Sequence, residues 1–129
     1  MRELHDEDRK PWKKFGANRT DTEGSPVVVW HLAGLFTDCK ESYSFLDAFR
    51  EEMRSGSQPV VLNLSEIDHV TSCGAGILGA CYCSATNAGR TLCLAGVAER
   101  AEAVLSVIGL AKVIKMYPTQ EAAIQDLSS

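Results

Sequence analysis

Four times along this chain a short apolar run is followed by a stretch whose apolar residues recur at helical spacing. Residues 27–32 (VVVWHL) follow Pro26 and are closed by Gly34, which reads as a strand. Residues 40–55 carry Tyr43, Leu46, Phe49 and Met53 at helical spacing, and Ser55-Gly56-Ser57 ends that helix. Residues 59–64 (PVVLNL) form a second, more central strand. Residues 73–87 are rich in Gly, Ala and Cys, the composition of a helix packed closely on a sheet, and Asn87-Ala88-Gly89 stops it. A third strand is expected over 91–95, a third helix over 99–108 before Gly109, and a fourth strand over 113–117. Pro118 breaks that strand, and Thr119 caps a last helix to Leu127. Strands alternating with helices across short links pair in parallel through right-handed crossovers, which makes the chain an α/β protein.

The chain has 129 residues, enough for one domain with a cooperative core. With 45% hydrophobic residues and a net charge of −4 it does not belong among disordered chains. No run approaches the ~18 apolar residues of a membrane-spanning helix, and no signal peptide is expected. The acidic balance argues against a nucleic-acid footprint. Residues 1–23 stand apart, with six basic and six acidic residues and Trp12 and Phe15 as their large apolar anchors. They read as a charged N-terminal arm, with room for one short strand or helical turn around those aromatics, ahead of a domain over 24–129. Removing the arm is expected to leave the domain folded. The five cysteines (Cys39, Cys73, Cys81, Cys83 and Cys93) are odd in number and lack paired metal-ligand spacing. They read as reduced thiols of a cytoplasmic protein, with no metal and no cofactor expected.

The segment 70–79 (VTSCGAGILG) is the unusual one. Ser72 or Thr71 stands where a helix N-cap belongs, ahead of free N–H groups at the positive end of the helix dipole. Gly74 and Gly76 leave the backbone bare there, at a cost of about 1 kcal/mol per helix position relative to Ala, so something comes close: the sheet or a partner. Gly74-x-Gly76-x-x-Gly79 spells a dinucleotide fingerprint, but residues 65–72 separate it from its strand. Val70-x-Ser72-x-Gly74 is half of a nucleophile elbow, yet Asp68 and His69 are adjacent and would point to opposite faces of an extended chain. Cys73 at the helix start has no basic neighbour in sequence to activate it. A hydroxyl at a helix N-terminus suits phosphorylation, because that end tolerates the added charge. The plainer alternative is a cap and two glycines that let the helix approach the sheet. His31 reads as a half-exposed sheet residue, Trp30 as core or an edge cover, and Leu35-Phe36 as an exposed apolar pair in a loop, which either packs on the sheet end or contacts a partner.

Over about residues 25–127 the chain resembles the STAS family, the bacterial anti-sigma factor antagonists. VWHLAG (29–34) resembles the family's first core strand ending in Gly. PVVLNLSEIDHVTSCGAG (59–76) resembles its apolar strand and the xLxxVxxxDSSGxG motif. VLSVIGLAKVI (104–114) resembles its LxxxGLxxxi stretch, and Ala122-Ala123-Ile124 its last helix. The resemblance implies a single domain with a mixed, mostly parallel sheet of four to five strands and helices mainly on one face. It implies a non-enzymatic interaction module: a GHKL-type anti-sigma factor kinase phosphorylates the first hydroxyl of D-S-S-G, and a PP2C-type phosphatase reverses the change. Residue by residue, the phospho-acceptor falls on Ser72, with Thr71 a second hydroxyl beside it. Partner contacts fall on Gly34, Asp38, Thr71, Ser72, Cys73, Gly74 and Gly76. The sequence departs from the pattern at Thr71 (Asp in the family), at Cys73 (Ser) and in the loop after the first strand, where Asp38 stands one place displaced. A STAS scaffold that is not phosphorylated, or a module binding a small ligand or nucleotide, is the alternative.

Overall fold

The computed structural model describes residues 14–128. Five strands form one sheet in chain order: β1 (Gly16–Asp21), β2 (Val28–Phe36), β3 (Val60–Val70), β4 (Leu92–Ala95) and β5 (Lys115–Tyr117). β1 runs antiparallel to β2, and every other pair is parallel. The helices are α1 (Lys40–Met53), α2 (Ser72–Asn87), α3 (Glu99–Val107) and α4 (Gln120–Ser128), with a 3₁₀ turn at Leu110–Lys112. No helix among the described residues is long and apolar enough to cross a membrane.

Side chains alternate across a strand, so each strand serves two layers. Val28, Trp30, Leu32, Val60, Leu62, Leu92 and Leu94 share the main core with the buried residues of α1, α2 and α3. Val27, Val29, Val61, Cys93 and Ala95 face the other way, where Ala123 of α4 covers them. Helices therefore lie three to one across the sheet. Within the main core Phe15, Trp30, Phe36, Phe45 and Phe49 form a chain of ring contacts, with Phe15 stacked on Phe36 at 4.6 Å.

Three expectations change. Residues 16–21, placed in the charged arm with room for one short strand, form the edge strand β1 of the domain's own sheet, and Phe15 is buried at its start. The arm pattern arises because β1 is exposed along its whole length, so nothing apolar marks it. Residues 1–13, Trp12 included, lie outside the described residues. Second, β2 continues through Gly34 to Phe36, so Phe36 is buried instead of standing in a loop. Third, β3 runs on to Val70 through the stretch read as a linker. Opposite His31–Leu35 the register slips twice, each time giving β3 one more residue than β2. Such bulges break the period-two alternation that announces a strand, and Gly34, at φ +89°, supplies the left-handed backbone beside the second slip.

Glu52 of α1 binds the sheet edge to the core. One carboxylate oxygen accepts from the Trp30 indole N–H at 2.9 Å and pairs with Arg19 of β1 at 2.9 Å. The Arg90 side chain is fully buried beside it, donating to the carbonyls of Gln58, Glu52 and Ser55.

Candidate functional site

The extension of β3 delivers Thr71 to the end of β2 next to Phe36, where α2 begins. The Thr71 N–H donates to the Phe36 carbonyl at 3.1 Å. The Thr71 hydroxyl accepts from the Gly74 N–H at 3.1 Å, the geometry of an N-cap. Its own proton lies within reach of the Phe36 carbonyl at 3.3 Å and the Thr37 hydroxyl at 3.2 Å. Of the two residues considered for the cap, Thr71 takes it. Ser72 becomes the first helical residue and is solvent-exposed.

The two glycines differ in kind. A Cβ on Gly74 would sit 2.2 Å from the Phe36 carbonyl oxygen, so here the sheet comes close to the bare backbone. A Cβ on Gly76 would meet nothing within 4 Å, and that residue is exposed. The fold needs the first glycine and is indifferent to the second. Gly34 is buried in β2, where its positive φ serves the backbone.

Cys73 is exposed, and its thiol lies 3.7 Å from the Tyr43 hydroxyl across the seam between α1 and α2. Contact with Cys73, and then with the exposed Asp38, pushes the Tyr43 hydroxyl up to about 12. Helical spacing groups Tyr43 with Leu46, Phe49 and Met53, but the buried positions of α1 are Ser42, Phe45, Leu46, Phe49 and Met53, and Tyr43 is exposed. The signal that could have found Tyr43 is phase: 42, 45, 46, 49 and 53 make one stripe, and 43 stands beside it. Asp38, Tyr43, Thr71, Ser72, Cys73 and Gly74 therefore belong to one neighbourhood at the carboxyl end of β3. Of the residues tested for a triad, Asp68 and His69 are half-buried neighbours on β3. His31 is a half-buried residue on β2, with its Nε2 3.2 Å from the Thr20 hydroxyl. Among the described residues no three His, Cys, Asp or Glu side chains gather as a metal site.

Residues 20–123, which include the bulged β3 and the capped, glycine-lined helix start it feeds, match the STAS domain family model. The chain belongs to the STAS domain family. A relative from Thermotoga neapolitana, named as a candidate anti-sigma factor antagonist, is 28% identical over 79 residues, 61% of this chain and 70% of the relative. The solved structure of an anti-sigma factor antagonist from Mycobacterium paratuberculosis superposes with a TM-score of 0.75 at 21% identity, over 90% of this chain and 96% of that one. The anti-sigma factor antagonist SpoIIAA in its unphosphorylated form superposes with a TM-score of 0.70 at 18% identity, over 88% of this chain and 95% of that one. At those identities the two structures establish a shared STAS fold: the five-stranded, mostly parallel sheet with its helices.

Proposed function

We propose that this STAS domain is an anti-sigma factor antagonist: an interaction module that binds a GHKL-type anti-sigma kinase while Ser72 is unmodified and is released when Ser72 is phosphorylated. A PP2C-type phosphatase would restore the binding form in the cytoplasm. The observation that carries the reading is the division of labour between two adjacent hydroxyls. Thr71 is engaged as cap donor and acceptor, whereas Ser72 is exposed on the first turn beside it. Phosphate on Thr71 would break the cap; phosphate on Ser72 would sit at the positive end of the α2 dipole, where a negative group is favoured by about 0.3–1 kcal/mol. Two of the superposed structures are named as anti-sigma factor antagonists, which supports the partner class.

The switch follows from desolvation. Phosphate adds a charge of about −1.5 to −2 to a surface that, in the binding form, carries a small neutral hydroxyl. Burying it unpaired against a partner costs on the order of several kcal/mol, and each 1.4 kcal/mol is about tenfold in affinity. The test is calorimetric titration of a GHKL-type anti-sigma kinase from the same genome with wild type, Ser72→Ala and the Ser72-phosphorylated form. Wild type and Ser72→Ala should bind alike, and the phosphorylated form at least tenfold more weakly. Equal affinity for all three would refute the switch and favour the unphosphorylated scaffold.

A further inference from the structure

The chain enters β1 through Lys14 and Phe15, and these two residues touch both elements that border Ser72. Lys14 pairs with Glu41 in the first turn of α1 at 2.8 Å, two residues before Tyr43, whose hydroxyl contacts Cys73. Phe15 is buried and stacks on Phe36 with the ring planes 16° apart. Phe36 is the residue on which the start of α2 rests. Its carbonyl receives the Thr71 N–H, lies within reach of the Thr71 hydroxyl, and limits how far Gly74 can approach. Among the described residues β1 is an edge strand, paired with β2 alone. Its pairing with β2 is the antiparallel one, so it is not part of the parallel core.

We propose that Lys14 and Phe15 are positioning residues for the Ser72 turn. With Phe15 in place, Phe36 packs in a triangle of mutually touching rings with Phe15 and Phe45, and presents its carbonyl at a fixed height to Thr71. Without it, Phe36 can shift into the vacated space, and the Thr71 and Gly74 bonds that start α2 loosen together. The occupancy of the β1 edge thereby sets the order of the turn that carries Ser72. The functional meaning of this coupling rests on the reading of Ser72 as the switch, whereas the coupling itself does not.

The experiment is amide hydrogen exchange by NMR on the full chain, comparing wild type, Phe15→Ala, Phe15→Leu and Lys14→Ala. Ile114→Ala serves as a core control, because Ile114 is buried near the opposite edge of the sheet. The readout is exchange at Thr71, Gly74 and Ala75, whose amides donate to Phe36 or Thr71, relative to exchange in β4. Phe15→Ala should raise that ratio at least tenfold, Phe15→Leu and Lys14→Ala about two- to threefold, and Ile114→Ala should leave it unchanged. A ratio that stays constant in the Lys14 and Phe15 variants, or that moves equally in Ile114→Ala, overturns the proposal. If Phe15→Ala does not fold, the milder pair decides. The rate of Ser72 phosphorylation by the kinase is measured separately: absent phosphorylation with a changed ratio refutes the switch and leaves the coupling standing.

Discussion

Gly74 and Gly76 lie two residues apart in the first turns of α2, yet changing each to alanine should move stability in opposite directions. At Gly76 the added methyl group enters open space. The substitution removes a helix-interior glycine and its unfolded-state entropy, for a gain of about 0.5–1 kcal/mol. At Gly74 the methyl carbon would begin 2.2 Å from the Phe36 carbonyl oxygen, and real side-chain carbons essentially never approach within 3.0 Å. The obstacle is backbone in a buried strand, so the start of α2 must back away from β2. Overpacking of this kind costs about 1–3 kcal/mol. The same retreat pulls Thr71 from its partners and weakens a cap worth about 1 kcal/mol. Gly74→Ala should therefore lose about 2–4 kcal/mol, leaving a gap of about 2.5–5 kcal/mol between the two variants. Urea unfolding followed by far-ultraviolet circular dichroism measures it, provided the slope m is unchanged between them. Near-equal stabilities, or a stabilised Gly74→Ala, would refute the claim that the sheet dictates the first glycine and leaves the second free.

Thr71→Val should cost about 1 kcal/mol through the lost cap, while Ser72→Ala stays within about 0.5 kcal/mol of wild type; thermal unfolding of the pair checks which residue holds the helix start. Arg90→Ala should lose about 3–5 kcal/mol, because it strips a buried guanidinium from the Gln58, Glu52 and Ser55 carbonyls and from the Glu52 carboxylate beside it; urea titration would show it. A thiol reagent at neutral pH should modify the exposed Cys73 and Cys83 in the native protein and reach Cys81 and Cys93 on unfolding. Burial pushes the Cys93 thiol from its ordinary value of 9.0 up to about 12, and pushes Cys81 up as well. Above pH 9 the unfolded chain releases those protons first while the folded chain keeps them. This contribution to stability is therefore full below pH 9 and declines as pH rises towards 12, which denaturant titrations across that range would register.

The alternation of apolar runs and helical spacing was enough to read four parallel-type strands, four helices and a glycine-lined helix start at residues 72–76. Those features depend on local pattern: β-branched runs, i to i+4 spacing, and Gly or Pro at the ends. The family motif carried Ser72 to the mouth of the third strand's helix for the same reason, since it is contiguous in sequence. What escaped was decided by contacts between distant segments. β1 has exposed side chains throughout and is a strand because β2 offers it an edge, a fact that no periodicity within GANRTD encodes. The continuation of β3 is hidden by two bulges that exist in relation to β2. The choice of Thr71 over Ser72 as cap rests on Phe36 and Thr37, more than thirty residues away, which take up one hydroxyl and leave the other to solvent. The two glycines look equivalent in the sequence, and the Phe36 carbonyl, brought in by the parallel pairing of β2 with β3, makes one obligatory and frees the other. Local pattern sets which elements can form, because backbone conformation and burial period are short-range. Which of two neighbouring side chains is used up and which is left facing water depends on what the chain brings back from far away.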